Sequence, residues 1–80
     1  MKLPRNISGE DLIKALRQYG YEVTRQTGSH VRLTRIEADR KFHLTIPKHT
    51  PLRIGTLNNI LKDLSMQLEL DKDKMIESLF

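Results

Sequence analysis

The sequence predicts an α+β fold in which two helices bracket a three-stranded antiparallel sheet and a short third helix follows. Apolar residues recur with the period of a helix near the start of the chain and again in its second half. Between these stretches lie three short segments in which apolar and polar residues alternate, as in half-buried strands. With 80 residues, we expect one domain spanning 1–80, with a single thin core and no deep cleft.

The first helix has a defined start and a defined end. Ser8 and Asp11 have the spacing of a capping box, in which each side chain bonds the other residue's backbone N–H. Gly20 is expected to end the helix because glycine adopts the left-handed conformation without strain. The apolar stripe between them is Leu12, Ile13, Leu16 and Tyr19.

The strands are predicted at about 21–26, around Val31 and Leu33, and from Phe42 to Ile46 before Pro47. Apolar side chains should meet apolar ones if one sheet face is buried, and this fixes a register. That register pairs Ile36 with Lys41, Leu33 with Leu44, Val31 with Ile46, Val23 with Leu33, and Gln26 with His30. The opposite, open face then carries Thr24, Gln26, His30, Arg32, Thr34, His43 and Thr45.

After the third strand the period becomes helical again. Thr56, following Gly55, is a candidate cap for the second helix, with Leu52 and Ile54 in a tight turn before it. Asp71 is a candidate cap for the last helix. The expected core stripe of the second helix is Leu57, Ile60, Leu61, Leu64 and Leu68. The order α-β-β-β-α matches the double-stranded-RNA-binding-domain fold.

Composition limits the kinds of function that the chain can have. The absence of cysteine excludes disulfides and cysteine-ligated metal sites. Residues 1–56 hold eleven basic and five acidic side chains, a net charge of +6, whereas residues 57–80 hold three and five, a net −2. This imbalance suits a polyanion such as nucleic acid, or an acidic protein. Apolar runs never exceed two residues, so we expect no membrane contact and a soluble, cytoplasmic protein.

Three ordered motifs carry a resemblance to a known family. They are Gly28-Ser29-His30 opening a strand, Ile46-Pro47-Lys48-His49 closing the next, and the segment 55–62, beginning Gly55-Thr56, opening a helix. Together they resemble the HicA family of bacterial toxins, and the resemblance extends from Ser8 to Phe80, although residues 69–80 go beyond many members. It implies an mRNA interferase, its silencing by a HicB-type antitoxin, and a catalytic histidine at the position of His30. Any homo-oligomer is expected only through the antitoxin complex.

RNA cleavage by this chain is consistent with physical principles, because RNA supplies its own nucleophile in the 2′-hydroxyl. The cleavage reaction therefore needs no metal or other cofactor. Histidine is the residue type whose ordinary pKa suits proton transfer at neutral pH, which makes His30 the candidate acid/base, and Arg32 projects from the same face to hold a phosphate. Arg25, Lys48 and Arg53 are further candidate RNA contacts, Ser29 is a possible auxiliary group, and Gly28 and Gly55 are the motif glycines.

The other histidines are weighed by their distance from His30. His43 lies four residues along the strand from it, about 13 Å at roughly 3.3 Å per residue, too far to share a proton or a metal. We interpret His43 as a solvated strand residue. His49 is either a second acid/base or phosphate contact, or a residue that stabilises its loop. Two other functions remain open: a non-catalytic RNA-binding module, and a protein-interaction domain.

Overall fold

A computed structural model describes residues 6–80 and has the predicted α-β-β-β-α order with a further C-terminal helix. The elements are α1 (Gly9–Leu16), a short 3₁₀ segment (Arg17–Tyr19), β1 (Glu22–Thr27), β2 (His30–Glu37), β3 (Arg40–Pro47), α2 (Ile54–Leu68) and α3 (Lys72–Leu79). None of the helices within residues 6–80 has the length and apolar character needed to cross a membrane.

The sheet is antiparallel in the order β1-β2-β3, and the predicted β2–β3 register is confirmed: Leu33 lies opposite Leu44, and Val31 opposite Ile46. In the first hairpin Val23 lies opposite Leu33, as predicted. The predicted pairing of Gln26 with His30 is wrong, because Gln26 lies opposite Val31.

A bulge in β1 between Val23 and Arg25 explains this difference. The extra residue changes the register by one position, and a shift of one residue exchanges the two faces of a strand. Gln26 therefore lies opposite the inward-facing Val31, and Arg25 lies opposite the outward-facing Arg32. The prediction that placed Gln26 on the open face is wrong for the same reason.

Helix α1 begins and ends as its sequence predicts. The Ser8 hydroxyl accepts a hydrogen bond from the backbone N–H of Asp11 at 3.0 Å, and the Asp11 carboxylate accepts one from Ser8 N–H at 3.4 Å. Gly20 has a φ of 87° and ends the 3₁₀ segment that follows the helix. The capping box satisfies two backbone donors and so fixes where the chain enters the helix.

The helices pack on one face of the sheet, and the core lies between the two layers. Every one of its fully buried side chains is apolar except for the hydroxyl of Tyr21. The core members are Leu12, Ile13, Leu16, Tyr21, Val31, Leu33, Leu44, Ile46, Leu52, Leu57, Ile60, Leu61, Leu64, Met75 and Ile76. The opposite face of the sheet is uncovered within residues 6–80, and this open face is accessible to a ligand.

Helix α2 starts earlier than the sequence predicts. Its first residue is Ile54, and its N-cap is Arg53, which makes no side-chain capping bond. Thr56 therefore lies inside the first turn and is not the cap, and Ile54 belongs to the helix, not to a preceding turn. The start depends instead on the backbone, where Leu57 N–H donates to the Arg53 carbonyl at 2.9 Å.

Helix α3 contributes to the core. Asp71 caps it, as predicted, by accepting hydrogen bonds from Asp73 N–H at 2.9 Å and Lys74 N–H at 3.2 Å. Met75 and Ile76 are buried, whereas the Phe80 side chain is 42% exposed. The acidic end of the chain is thus anchored to the rest of the fold by an apolar stripe.

Candidate functional site

His30 is the first residue of β2 and lies at one end of the sheet, paired with Thr27 on β1 and Pro47 on β3. The two-residue turn before it has Gly28 at a φ of 59°, a positive value that glycine adopts without strain and that tight hairpin turns need at their first central position. The side chain of His30 is exposed. Among residues 6–80 it has no hydrogen-bond or ion-pair partner, so both ring nitrogens are accessible to a ligand.

The end of the sheet beside His30 is held by three backbone contacts. The Ser29 carbonyl accepts a hydrogen bond from Lys48 N–H at 2.7 Å, and the His49 carbonyl accepts one from Gly9 N–H at 2.9 Å. A β-carbon at position 9 would lie 2.1 Å from the Pro47 carbonyl oxygen, so only glycine permits this close approach. The start of α1 and the end of β3 therefore form a firm support for the turn that carries His30.

The backbone of His49 is part of that support, while its side chain is exposed. It follows β3 two residues after Pro47, the partner of His30. The described residues show no hydrogen bond between the two imidazoles. Ser29 also contributes its carbonyl to the support, and its side chain makes no hydrogen bond within that part of the chain.

The predicted RNA contacts divide between the two faces of the sheet. Arg25 and Arg32 lie side by side and line a shallow groove on the open face, together with Thr24, Thr34, Ile36, Lys41 and His43. Lys48 lines a second groove, on the helix side, and its Nζ lies 3.6 Å from Glu10 Oε1. Arg53 and Gly55 lie at the start of α2.

His43 lies in a chain of hydrogen bonds that crosses the open face. Its Nδ1 is 3.0 Å from the Thr34 hydroxyl, which is 2.8 Å from the Thr24 hydroxyl on the neighbouring strand. The His43 carbonyl accepts a hydrogen bond from Gln67 Nε2 at 2.9 Å, which ties this position to α2. The ring is exposed but held in place, so its interpretation as a solvated strand residue overlooked these partners. The pairing of Thr34 with His43 in the predicted register was the sequence feature that could have indicated this contact.

Acidic side chains are absent from the lining of the open-face groove within the described chain. Glu22, opposite Thr34 on β1, lines a separate groove with Arg17 and Tyr21. The Arg35–Glu37 ion pair, at 2.9 Å, lies at the far end of the strands. No cluster of three or more histidine or carboxylate side chains capable of holding a metal ion occurs in residues 6–80.

Comparison with protein families gives one match: residues 9–66 match the family described as the HicA toxin of bacterial toxin–antitoxin. The chain belongs to the HicA toxin family. The match includes the turn at Gly28, His30 and the start of α2, so it spans the elements that build the site. Comparison with curated proteins and with solved structures gave no significant match.

Membership of the HicA family establishes the broad role of the protein as the toxin of a toxin–antitoxin pair. The matched segment ends within α2 and leaves α3 outside it. Helix α3 therefore follows the matched segment and contributes side chains to the same hydrophobic core.

Proposed function

We propose that this HicA toxin is a ribonuclease that cuts mRNA without a metal ion, with His30 as its catalytic acid/base. The observation that carries the proposal is the accessible imidazole of His30, at the supported end of a sheet whose open face has arginines and a lysine. Arg32 lies two residues along β2 on the same face, where its guanidinium can hold a phosphate.

The reaction would use the 2′-hydroxyl of the RNA as the nucleophile. One nitrogen of His30 accepts the hydroxyl proton as the 2′ oxygen forms a bond to the adjacent phosphorus. The bond between that phosphorus and the 5′ oxygen of the next nucleotide breaks, and this oxygen takes a proton from a second donor. The products are a 2′,3′-cyclic phosphate and a 5′-hydroxyl. Arginine stabilises the negative charge that develops on the phosphate oxygens.

His49 is our candidate for the second proton donor. It follows β3 just beyond Pro47, and its carbonyl is fixed by Gly9, so its backbone position is well defined. Ser29 is an auxiliary candidate from the same turn.

The His30→Ala variant tests the assignment. Expression of the wild-type chain without its antitoxin should stop growth and degrade mRNA, and His30→Ala should relieve both while retaining the wild-type circular dichroism spectrum. Thr27→Ala, at the paired position on β1, is the matched control and should remain toxic. A folded His30→Ala protein that still cuts RNA would refute the catalytic role.

The mechanism is tested with an RNA that carries a single 2′-deoxy nucleotide at the cleavage site. Cleavage there should stop, because the nucleophile is missing, while cleavage of the all-ribose RNA should continue in excess EDTA. Normal cleavage of the 2′-deoxy substrate would exclude the mechanism.

A non-catalytic RNA-binding module is the second candidate function, favoured by the cationic open-face groove. In that case wild-type and His30→Ala proteins would bind RNA equally and neither would cut it. In either case we propose that the partner is a HicB-type antitoxin, whose acidic surface would cover the basic face around His30.

A further inference from the structure

We propose that the open face of the sheet is a track for single-stranded RNA that runs from His30 to His43. The proposal rests on the proposed function, because it names the path of the RNA from the catalytic residue. It gives His43 a binding role, which is distinct from catalysis.

The first argument is the distribution of charge. Three cations, Arg25, Arg32 and Lys41, come from three different strands and line one groove. None of them forms an ion pair within residues 6–80. Cations that lie together attract phosphates, and each one that contacts a phosphate releases a counterion from the nucleic acid.

The helix-side groove is a weaker competitor. It also has cations, namely Lys14, Arg17 and Lys48, but it includes Glu10, which lies 3.6 Å from Lys48 Nζ. An RNA phosphate would compete with this carboxylate for the lysine. The two grooves therefore differ in net charge, and the open face is the better polyanion site.

The second argument is the position of His43. The Thr34 hydroxyl, itself hydrogen-bonded to the Thr24 hydroxyl, holds the ring through Nδ1, which leaves Nε2 available to a ligand. Histidine rings and arginine planes are surfaces on which unpaired bases stack. Ile36, with 66% of its surface exposed, adds an apolar contact beside them.

Geometry links His43 to the catalytic end. His30 and Thr34 lie on the same side of β2, and Thr34 lies opposite His43, so the two histidines are separated by about 13 Å along the strand. An extended RNA strand can cover this distance with a few nucleotides. Stacking requires unpaired bases, and this requirement favours a single strand over a duplex.

The experiment is an NMR titration of the His30→Ala protein with a ten-nucleotide single-stranded RNA, which this variant should not cut. We expect the largest amide shifts at Arg32, Thr34 and His43. Shifts confined to Lys14, Arg17 and the start of α2 would overturn the proposal, as would tighter binding of a duplex on the open face.

Variants made in the His30→Ala background, which should bind RNA without cutting it, give a second readout. Lys41→Ala should weaken RNA binding several-fold and lower the salt slope by about 0.7, the value for one phosphate contact to a single strand. Lys62→Ala, an exposed lysine of α2, is the charge-matched control and should change binding less than twofold. Equal effects of the two variants would contradict the track.

His43→Ala and Thr34→Val should raise KM three- to tenfold and leave kcat nearly unchanged, because they remove binding and not proton transfer. A loss of kcat with KM unchanged would contradict the binding role.

The outcomes for the track and for the nuclease are separable. Open-face shifts in a protein whose wild type never cuts RNA would refute the nuclease and support the track. Cleavage by the wild type, with shifts on the helix side, would support the nuclease and refute the track.

Discussion

Ala38 adopts a left-handed backbone conformation, with a φ of 54°, in the turn between β2 and β3. Residues with a β-carbon are strained there, whereas glycine is not. We therefore expect Ala38→Gly to raise the free energy of unfolding by roughly 0.5–1 kcal/mol, which is several degrees in Tm for a chain of this size. Urea denaturation measures the change.

The matched control is the same substitution in a helix. Ala15→Gly, within α1, should lower the free energy of unfolding by about 1 kcal/mol, because glycine is a poor helix former. Destabilisation by both substitutions would show that the left-handed conformation of Ala38 costs little.

The hydroxyl of Tyr21 lies among the core residues and donates a hydrogen bond to Gln67 Oε1 at 2.6 Å. Burial raises the pKa of Tyr21 above its ordinary value of 10.0, and the Arg35 charge opposes the rise only in part. Above pH 10 the unfolded chain therefore loses this proton while the native state keeps it. Native stability then falls as pH rises, since the unfolded state binds fewer protons.

Tyr21→Phe should lower the free energy of unfolding by about 1 kcal/mol at neutral pH, because the hydrogen bond is missing. Between neutral and alkaline pH the free energy of unfolding should fall less for this variant than for the wild type. The plots of unfolding free energy against pH should therefore converge above pH 10. Denaturant unfolding at a series of pH values measures this. Curves that stay parallel throughout would refute the role of Tyr21 in alkaline unfolding.

At the scale of elements, α3 joins the toxin-family segment through its core. Met75 is 1% exposed, and the Tyr19 hydroxyl is hydrogen-bonded to Ser78 Oγ across the same contact. Met75→Ala should therefore lower the free energy of unfolding by about 2–5 kcal/mol, as removal of a buried methionine side chain usually does. Lys74→Ala, at the exposed neighbouring position, should change stability by less than 0.5 kcal/mol. A negligible effect of Met75→Ala would mean that the helix is an appendage.

The elements also show why some features follow from the sequence and others do not. The capping box of α1 and the β2–β3 register were predictable because each depends on short-range chemistry or on apolar residues meeting across a pair. The bulge in β1 was not, since neither Thr24 nor its neighbours is a glycine that would signal it. The start of α2 was missed because Arg53 has no capping side chain to mark it.

The bulge also determined how well the site could be predicted. It places Arg25 beside Arg32 on the open face and removes Gln26 from that face. The exposed position of His30 at the start of its strand followed from the motif and from the strand period, neither of which depends on β1. The support formed by Gly9 against Pro47 depends on contacts that are distant in sequence, and no local pattern revealed it.

At the scale of the molecule, the two faces of the sheet differ in what covers them. The helices pack on one face, and the other face is open, with His30, the candidate catalytic residue, at its end. In the proposed nuclease the imidazole of His30 is exposed, and no segment of residues 6–80 covers it, so we expect control to come from a partner that covers this face. We expect the antitoxin to bind there, with opposite charge speeding the encounter and apolar contacts slowing dissociation. Phe80, which the core leaves partly exposed, is available to such a contact.

This prediction is tested by chemical modification of histidine in the toxin alone and in the complex. His30 should react readily in the free toxin and become protected when the antitoxin binds, and RNA should compete with the antitoxin for the toxin. Acetylation of Lys62, on the exposed side of α2, is the control and should be unaffected by the antitoxin. An inhibited complex in which His30 remains as reactive as in the free toxin would refute direct occlusion. Inhibition would then require a change in the conformation of the toxin, and the close contact between Gly9 and Pro47 is where we would look for that change.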